Sequence, residues 1–348
     1  MATLSEVARL AGVSIGSASR VFNRHPTVTP ETANAVHKAA EELSYLHPSL
    51  RRAPSGIEVR RIALITLGMD RSLSNLPVIA TLLQGVHTRA SSFGLDITVC
   101  DVPDLNAVPR VLHEKGVDAV VLKAALQGDA KSWQSPAVTA ATNLPHVWLL
   151  GRPSGCSGDT CNTDDQAVGR IAAEYLSAKG HKHVAFLNPK PDHESFLQRE
   201  AAFCWHAGQA GLRVARLLSK PAKSVLPIKP VGDISEVEVL LEKCLKMHDR
   251  PTAVFVPADS IAVLLYRAMA QRGLQPGKDL GIISCNNETA LCAALFPTLT
   301  TIDIRAEQIG SYGVDHVVWR AAHPADFGEI STTLAPTLVE GGSVQQIK

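Results

Sequence analysis

Residues 3–23 read T-L-S-E-V-A-R-L-A-G-V-S-I-G-S-A-S-R-V-F-N, and the order of caps, apolar positions and breakers in them decides the N-terminal fold. Thr3 and Glu6 stand at capping-box spacing, and Val7, Ala8, Leu10 and Ala11 follow as an apolar stripe, so a helix starts here. Gly12 supplies the left-handed turn that ends it. Ser14 caps a second helix whose Ala18, Val21 and Phe22 face inward. Asn23-Arg24-His25-Pro26 breaks that helix. Thr29-Pro30-Glu31 then combines a cap, a proline at the first helical position and an acid near the positive dipole end. Ala33, Val36, His37, Ala40 and Leu43 form the inward face of the third helix. Two short helices joined by a tight glycine turn and braced by a third make a helix-turn-helix.

Working outward, residues 46–60 (LHPSLRRAPSGIEVR) lose this periodicity and carry Pro48, Pro54 and Gly56, which marks a linker. From Arg61 onward short aliphatic runs alternate with helical stretches. Strands are expected at 62–66, 96–100, 119–122, 146–150, 183–187, 253–256 and 281–285, with helices at 167–178, 197–210, 237–247 and 261–272. Repeated β-α-β order predicts parallel sheets with helices on both faces. The stretch is too long for one such sheet, so the fold class is a helical headpiece followed by an α/β core of two parallel-sheet subdomains. The expected division is 1–46 headpiece, 47–60 hinge or linker, and 61–348 core. The Gly/Ser/Cys-rich stretch Arg152–Thr160 is expected to carry the first crossing between subdomains, near 152–163.

The 348 residues are 45% hydrophobic and 19% charged, which suits two or three folded domains. No apolar run reaches the roughly 18 residues of a membrane span. Glu6, Arg9 and Arg20 interrupt the place where an export signal would need an apolar stretch, so a cytoplasmic protein is expected. The seven cysteines lack paired C-x-x-C spacing, so neither a metal site nor a disulfide framework is expected. The net charge of +1 conceals an asymmetry: residues 1–61 hold eight Lys/Arg against five Asp/Glu, leaving 26 cations against 28 acids in the remainder. A basic N-terminal module fits a polyanionic partner.

The N-terminal stretch, with V-T-P-E-T and A-A-E-E-L-S-Y after it, resembles the LacI/GalR family of bacterial transcription repressors. The body carries D-D-Q-A-V-G-R-I-A-A-E-Y-L-S-A-K-G-H-K-H-V-A-F-L, R-E-A-A-F, P-T-A-V-F-V-P-A-D and P-T-L-T-T-I in the family's order. The resemblance spans about residues 2–340. It implies a helix-turn-helix headpiece, a hinge, and a core like a type I periplasmic binding protein. It also implies a homodimer, or a higher assembly, on a palindromic double-stranded operator, controlled by a small-molecule effector, with no cofactor and no membrane partner.

In such a headpiece the second helix enters the major groove and its N-terminal residues meet base edges. The family pattern places Ile15, Gly16 and Arg20 there. Arg20 can fork onto guanine O6 and N7, Ile15 can touch a thymine methyl, and Gly16 permits close backbone approach. Ser5, Ser14, Ser17, Ser19, Asn23 and His25 are candidate phosphate contacts, which position the module without reading sequence. The hinge departs from the family. The position of the leucine that wedges into the minor groove holds Pro54, which stops a hinge helix at Ala53. Pro54 can itself act as a wedge, Leu50 can replace it, or there is none. Arg51 and Arg52 would neutralise phosphates or enter the groove.

Paired α/β lobes leave a cleft at the carboxyl ends of their strands. Arg199 matches the family arginine that forks onto ligand oxygens, and Ser195 shares its helix face. Asp70 and Lys123, near the ends of strands, are expected to reach the cleft. The family aspartate that accepts bonds from sugar hydroxyls falls at Asn286, and a family asparagine falls at Ala258, so some charge-assisted strength towards a sugar is lost. A ligand with its own carboxylate or phosphate gains, with Arg199 and Lys123 to meet it. Asp259 is read as a helix cap. Trp148, Phe203, Trp205 and Trp319 are read as core packing ahead of ligand stacking, and His181 and His183 as too few for a metal. The competing reading is an α/β enzyme or a binding protein with a fortuitous helical module. The chain has no G-x-G-x-x-G or phosphate-loop motif, its one G-x-S-x-G string, Gly12 to Gly16, lies between the first two helices and not at a strand-to-helix elbow, and no catalytic residue is assigned.

Overall fold

The computed structural model describes residues 3–22, 28–43, 45, 59–70, 76–113, 116–128, 130–220, 224–229, 234–323 and 328–347. The chain divides into two compact units, residues 1–59 with 321–323 and residues 60–320 with 324–348.

The first unit holds helices α1 (Leu4–Leu10), α2 (Ile15–Phe22) and α3 (Pro30–Glu42). Their ends follow from local chemistry. The Glu6 amide donates to Thr3 Oγ1 at 3.3 Å and the Thr3 amide donates to Glu6 Oε2 at 2.7 Å, closing the capping box. Gly12 turns the chain at φ +67°, where a side chain would be strained. Ser14 Oγ accepts from the Ser17 amide at 3.0 Å, and Thr29 Oγ1 from the Thr32 amide at 3.3 Å. Val7, Ala8, Ala18, Val21, Phe22, Val36, Ala39 and Ala40 form the core of this unit. Leu10, expected in the apolar stripe, stays half exposed at 50%. The helix spans only seven residues, and Val7 with Ala8 already fills its buried face.

The second unit runs through β1 (Arg61–Leu67), β2 (Asp96–Val102), β3 (Ala119–Ala124), β4 (His146–Leu149) and β5 (Asp159–Thr163), then β6 (His183–Asn188), β7 (Arg213–Leu218), β8 (Ala253–Phe255), β9 (Gly281–Asn286) and β10 (Thr300–Asp303). Two late strands, β11 (Ser331–Leu334) and β12 (Thr337–Val339), return one to each sheet. The sheet orders are β11-β5-β4-β3-β1-β2 and β12-β10-β9-β8-β6-β7. All pairings are parallel except β10 with β12. Helices α4 (Pro77–Phe93), α5 (Arg110–His113) and α6 (Pro136–Thr142) accompany the first sheet. Helices α7 (Asp165–Ala178), α8 (Glu194–Gln209), α9 (Ser235–Leu245), α10 (Asp259–Ala270) and α11 (Thr289–Ala294) accompany the second. Central strands are buried along nearly their whole length, as in β3 and β6, which is why they read as mostly apolar runs and not as alternating ones.

The first crossing is corrected by the topology. Arg152–Thr160 joins β4 to β5 within one sheet, and the chain leaves that lobe only after Thr163. A last helix, α12 (Ala306–Ala322), follows β10 and packs back against α4 of the first lobe. A Cβ at Gly85 would lie 1.9 Å from the Glu307 carbonyl oxygen, so only glycine permits this approach. The chain therefore passes between lobes near residues 164, 305 and 335, and the strand ends beside those passages frame a cleft.

Candidate functional site

The carboxyl ends of both sheets open on a cavity of about 650 Å³. From the first lobe come Lys123 at the end of β3, Asn162 and Thr163 at the end of β5, and Val78 at the start of α4. From the second come His193, Ser195, Phe196 and Arg199 on or before α8, Ala258 after β8, Asn286 at the end of β9 and Glu288 just beyond it. A mixed wall of aliphatic and polar groups at a topological switch point is the usual form of a small-molecule site.

Arg199 is the most firmly held of these groups. Its Nε donates to Asp165 Oδ1 at 2.7 Å, and its Nη1 donates to the Pro257 carbonyl at 2.7 Å and to Asn286 Oδ1 at 3.4 Å. Burial opposes its charge, but the Cys285 sulfur and the carboxylates of Asp165 and Asp259 outweigh burial and raise its pKa. The guanidinium is thus a fixed cation. Gly169 lets α7 come close enough to α8 to make the pair: a Cβ there would meet the Phe203 amide nitrogen at 2.5 Å.

Lys123 faces the cavity from the other lobe, 8% exposed, with its Nζ donating to the Ala124 carbonyl at 2.8 Å. Burial, and then the charge of Arg199, lowers its pKa to about 8. Beside it His193 stacks on Phe196 at 4.0 Å between ring centroids. Burial, with Lys123 and Arg199 adding to it, drives this imidazole down to about 3, so it is neutral. Glu288, 3% exposed, lies near the Val78 backbone amide of the first lobe and the Asn286 side chain of the second, both of which favour its charged form. Burial and the nearby Asp259 raise its carboxyl to about 7, and its Oε2 has no hydrogen-bond partner.

Of the residues expected from sequence, Lys123, Ser195, Arg199 and Asn286 line this one cavity, with Ala258 among them. Asp70 does not line it. After β1 the chain turns at Gly68, Met69 takes the cavity-facing position, and the Asp70 amide donates to the Ile228 carbonyl at 2.8 Å. Asp259 does not cap its own helix, whose N-cap is Ala258. Its buried carboxylate instead accepts from Ser284, from Thr301 Oγ1 at 2.7 Å and from the Glu288 amide at 2.7 Å, tying the ends of β9 and β10 together. Trp148 and Phe203 are wholly buried, Trp205 is 66% exposed, and neither they nor Trp319 line the cavity. His181 Nδ1 pairs with Thr252 Oγ1 at 2.7 Å and His183 Nδ1 lies 3.5 Å from Asp249. Sequence reading missed Phe196, His193 and Glu288. Only Glu288 left a signal, an acid two positions beyond a strand end.

In the helical unit, α2 turns Ala18, Val21 and Phe22 into the core and leaves Ile15, Gly16 and Arg20 exposed, with Ser17 and Ser19 part-buried. Ile15 is 53% exposed, an apolar side chain in water at the first position of the helix. Nothing but Ser14 Oγ, at 3.8 Å, comes within 4 Å of a Cβ built at Gly16, so that surface is open. Ser5 and Ser14 are also exposed. Asn23, His25, Leu50, Arg51, Arg52 and Pro54 lie outside the described residues.

Comparison with known proteins gives matches to both units. Residues 3–49 match the model for bacterial regulatory proteins of the lacI family, and residues 173–344 match that for a periplasmic binding protein-like domain. The ribose operon repressor of Escherichia coli (strain K12) is 26% identical over 347 residues, 99% of this chain and 100% of that protein. A transcriptional repressor of the helix-turn-helix type, PurR of Aliivibrio salmonicida (strain LFI1238), is 28% identical over 326 residues, 92% of each. Among solved structures, the lac repressor dimer bound to operator and the anti-inducer ONPF aligns with a TM-score of 0.65 at 21% identity over 99% of both chains.

Proposed function

The chain belongs to the lacI family of bacterial regulatory proteins, and on that premise we propose that it is a transcriptional repressor that grips a palindromic operator as a homodimer and answers to a small-molecule effector. Residues 1–46 are the DNA-binding headpiece, 47–60 the hinge and 61–348 the effector-binding and dimerisation core. The observation that carries this reading is the exposed face of α2. Ile15, Gly16 and Arg20 are presented to solvent on a helix whose opposite face is fully packed, which is what a major-groove reading helix requires. Arg20 reads a guanine and Ile15 a thymine methyl, while Ser5, Ser14, Ser17, Ser19, Asn23 and His25 contact phosphates. In the hinge Arg51 and Arg52 neutralise phosphates, with Leu50 or Pro54 as the groove wedge if one is used.

The effector occupies the core cavity, held by Lys123, Ser195, Arg199 and Asn286, and is a sugar or a related metabolite. Its differential binding to open and closed lobes is coupled to operator affinity, and the coupling is reciprocal, typically about 1–3 kcal/mol. The protein works in the cytoplasm and catalyses no reaction; its named relatives are repressors. A mobility-shift titration on the DNA upstream of its own gene tests the reading. A complex that weakens steeply with salt and is competed by an inverted repeat is expected. Retention of DNA regardless of sequence contradicts it.

A further inference from the structure

One charge in the core is uncompensated. Arg199 keeps Asp165 as its counter-ion, but Lys123, on the opposite wall of the same cavity, has none: its buried ammonium donates to a backbone carbonyl and no carboxylate pairs with it among the described residues. Two of its three N–H donors are left for other partners. The groups that act on it and on its neighbour His193 are cations, Arg199 and Lys190. His193 is neutral, and its Nδ1 is buried without a hydrogen-bond partner. A pKa of about 8 still leaves Lys123 protonated at neutral pH. Burying a lone ammonium beside a second cation is unfavourable unless an anion joins it.

We propose that the effector is a small organic oxyanion, and that its carboxylate or phosphate sits against Lys123 Nζ with His193 beside it. The remainder of the ligand then extends along the cavity towards Ser195, Asn286 and Arg199. Arg199, whose charge is already matched by Asp165 and whose Nε and Nη1 are engaged, keeps its Nη2 donors to orient polar groups at that far end and does not act as the principal counter-ion. Lys123 thereby selects for charge, and a neutral sugar of the same size leaves the ammonium as it was.

This inference rests on the effector reading above, and the test separates the two. Thermal shift and titration calorimetry on the full-length protein compare matched probes: D-glucuronate with D-glucose, D-ribose 5-phosphate with D-ribose, and inorganic phosphate against chloride at equal ionic strength. At least one anionic probe is expected to bind at least tenfold tighter than its neutral partner. The glucuronate and ribose 5-phosphate arms tell carboxylate from phosphate. Lys123→Gln is expected to remove that preference and Lys123→Arg to restore part of it, both melting as cooperatively as the parent. If the neutral sugars bind as well as the acids, or if Lys123→Gln leaves anion affinity unchanged, the oxyanion assignment is overturned while the effector site stands. If no probe of either class binds, both readings fall.

Discussion

Arg199 Nε lies 2.7 Å from Asp165 Oδ1, and the two side chains are 5% and 11% exposed. The pair joins the first residue of α7, where the chain has just entered the second lobe, to the cavity-facing side of α8. It makes the ligand-facing cation part of the lobe's own packing. Arg199→Ala is therefore expected to act twice. It should abolish the effector's influence on DNA binding, and it should lower core stability by about 3 kcal/mol because Asp165 is left buried without its partner. Apo affinity for operator should be unchanged. Operator titrations with and without effector, alongside urea unfolding of the core, check all three; a surviving effector response refutes the cavity assignment.

On the DNA side, Arg20→Ala should cost about 1–3 kcal/mol at one base pair of each half-site and little elsewhere. Affinities for a set of single-base operator variants measure this. Equal weakening on every variant would show that Arg20 touches only phosphate.

Glu288 sits between the lobes, with the Val78 amide on one side and Asp259 and Asn286 on the other. Its carboxyl titrates near 7 in the folded protein against a reference of 4.5. Between those values the native state holds a proton that the unfolded chain has released, so stability falls as pH rises through that window. Glu288→Gln removes the effect. Relative to the parent, the variant should gain up to about 3 kcal/mol between pH 4.5 and pH 8. Denaturant midpoints at several pH values check it, and parallel pH curves for the two proteins refute it.

Gly169 sits where α7 meets α8, with no room for a Cβ beside the Phe203 amide. Gly169→Ala should destabilise the core by about 1–3 kcal/mol through forced separation of the helices. Because the same crossing sets the Asp165–Arg199 pair, effector affinity should drop with it. Calorimetric melting with a ligand titration tests both, and an unchanged melting temperature rules the close approach out.

Sequence and structure agree where local chemistry decides. The caps at Thr3, Ser14 and Thr29, the Gly12 turn and the aliphatic central strands are set by neighbours within a few residues or by burial on both sheet faces. They part where distant partners decide. D-T-C-N-T at 159–163 is polar enough to read as a loop, yet it forms β5 because Arg320 donates to Asp159 at 2.5 and 2.7 Å and Thr160 pairs with Ser331 at 2.9 Å. The same applies to Asp70: its distance past the strand end was legible, but the Gly68 turn that puts Met69 in its place depends on pairing with Ile228. Glu288 shows in the sequence only as an acid past a strand end, since its surroundings include a helix of the other lobe some two hundred residues earlier.

The most direct test of the account is selection from a random-sequence duplex pool by the purified full-length chain, repeated with Arg20→Ala. The account predicts enrichment of an inverted repeat whose two half-sites carry the same guanine, with that guanine lost from the Arg20→Ala selection. Enrichment of single, unpaired sites, or no enrichment over the starting pool, would contradict it.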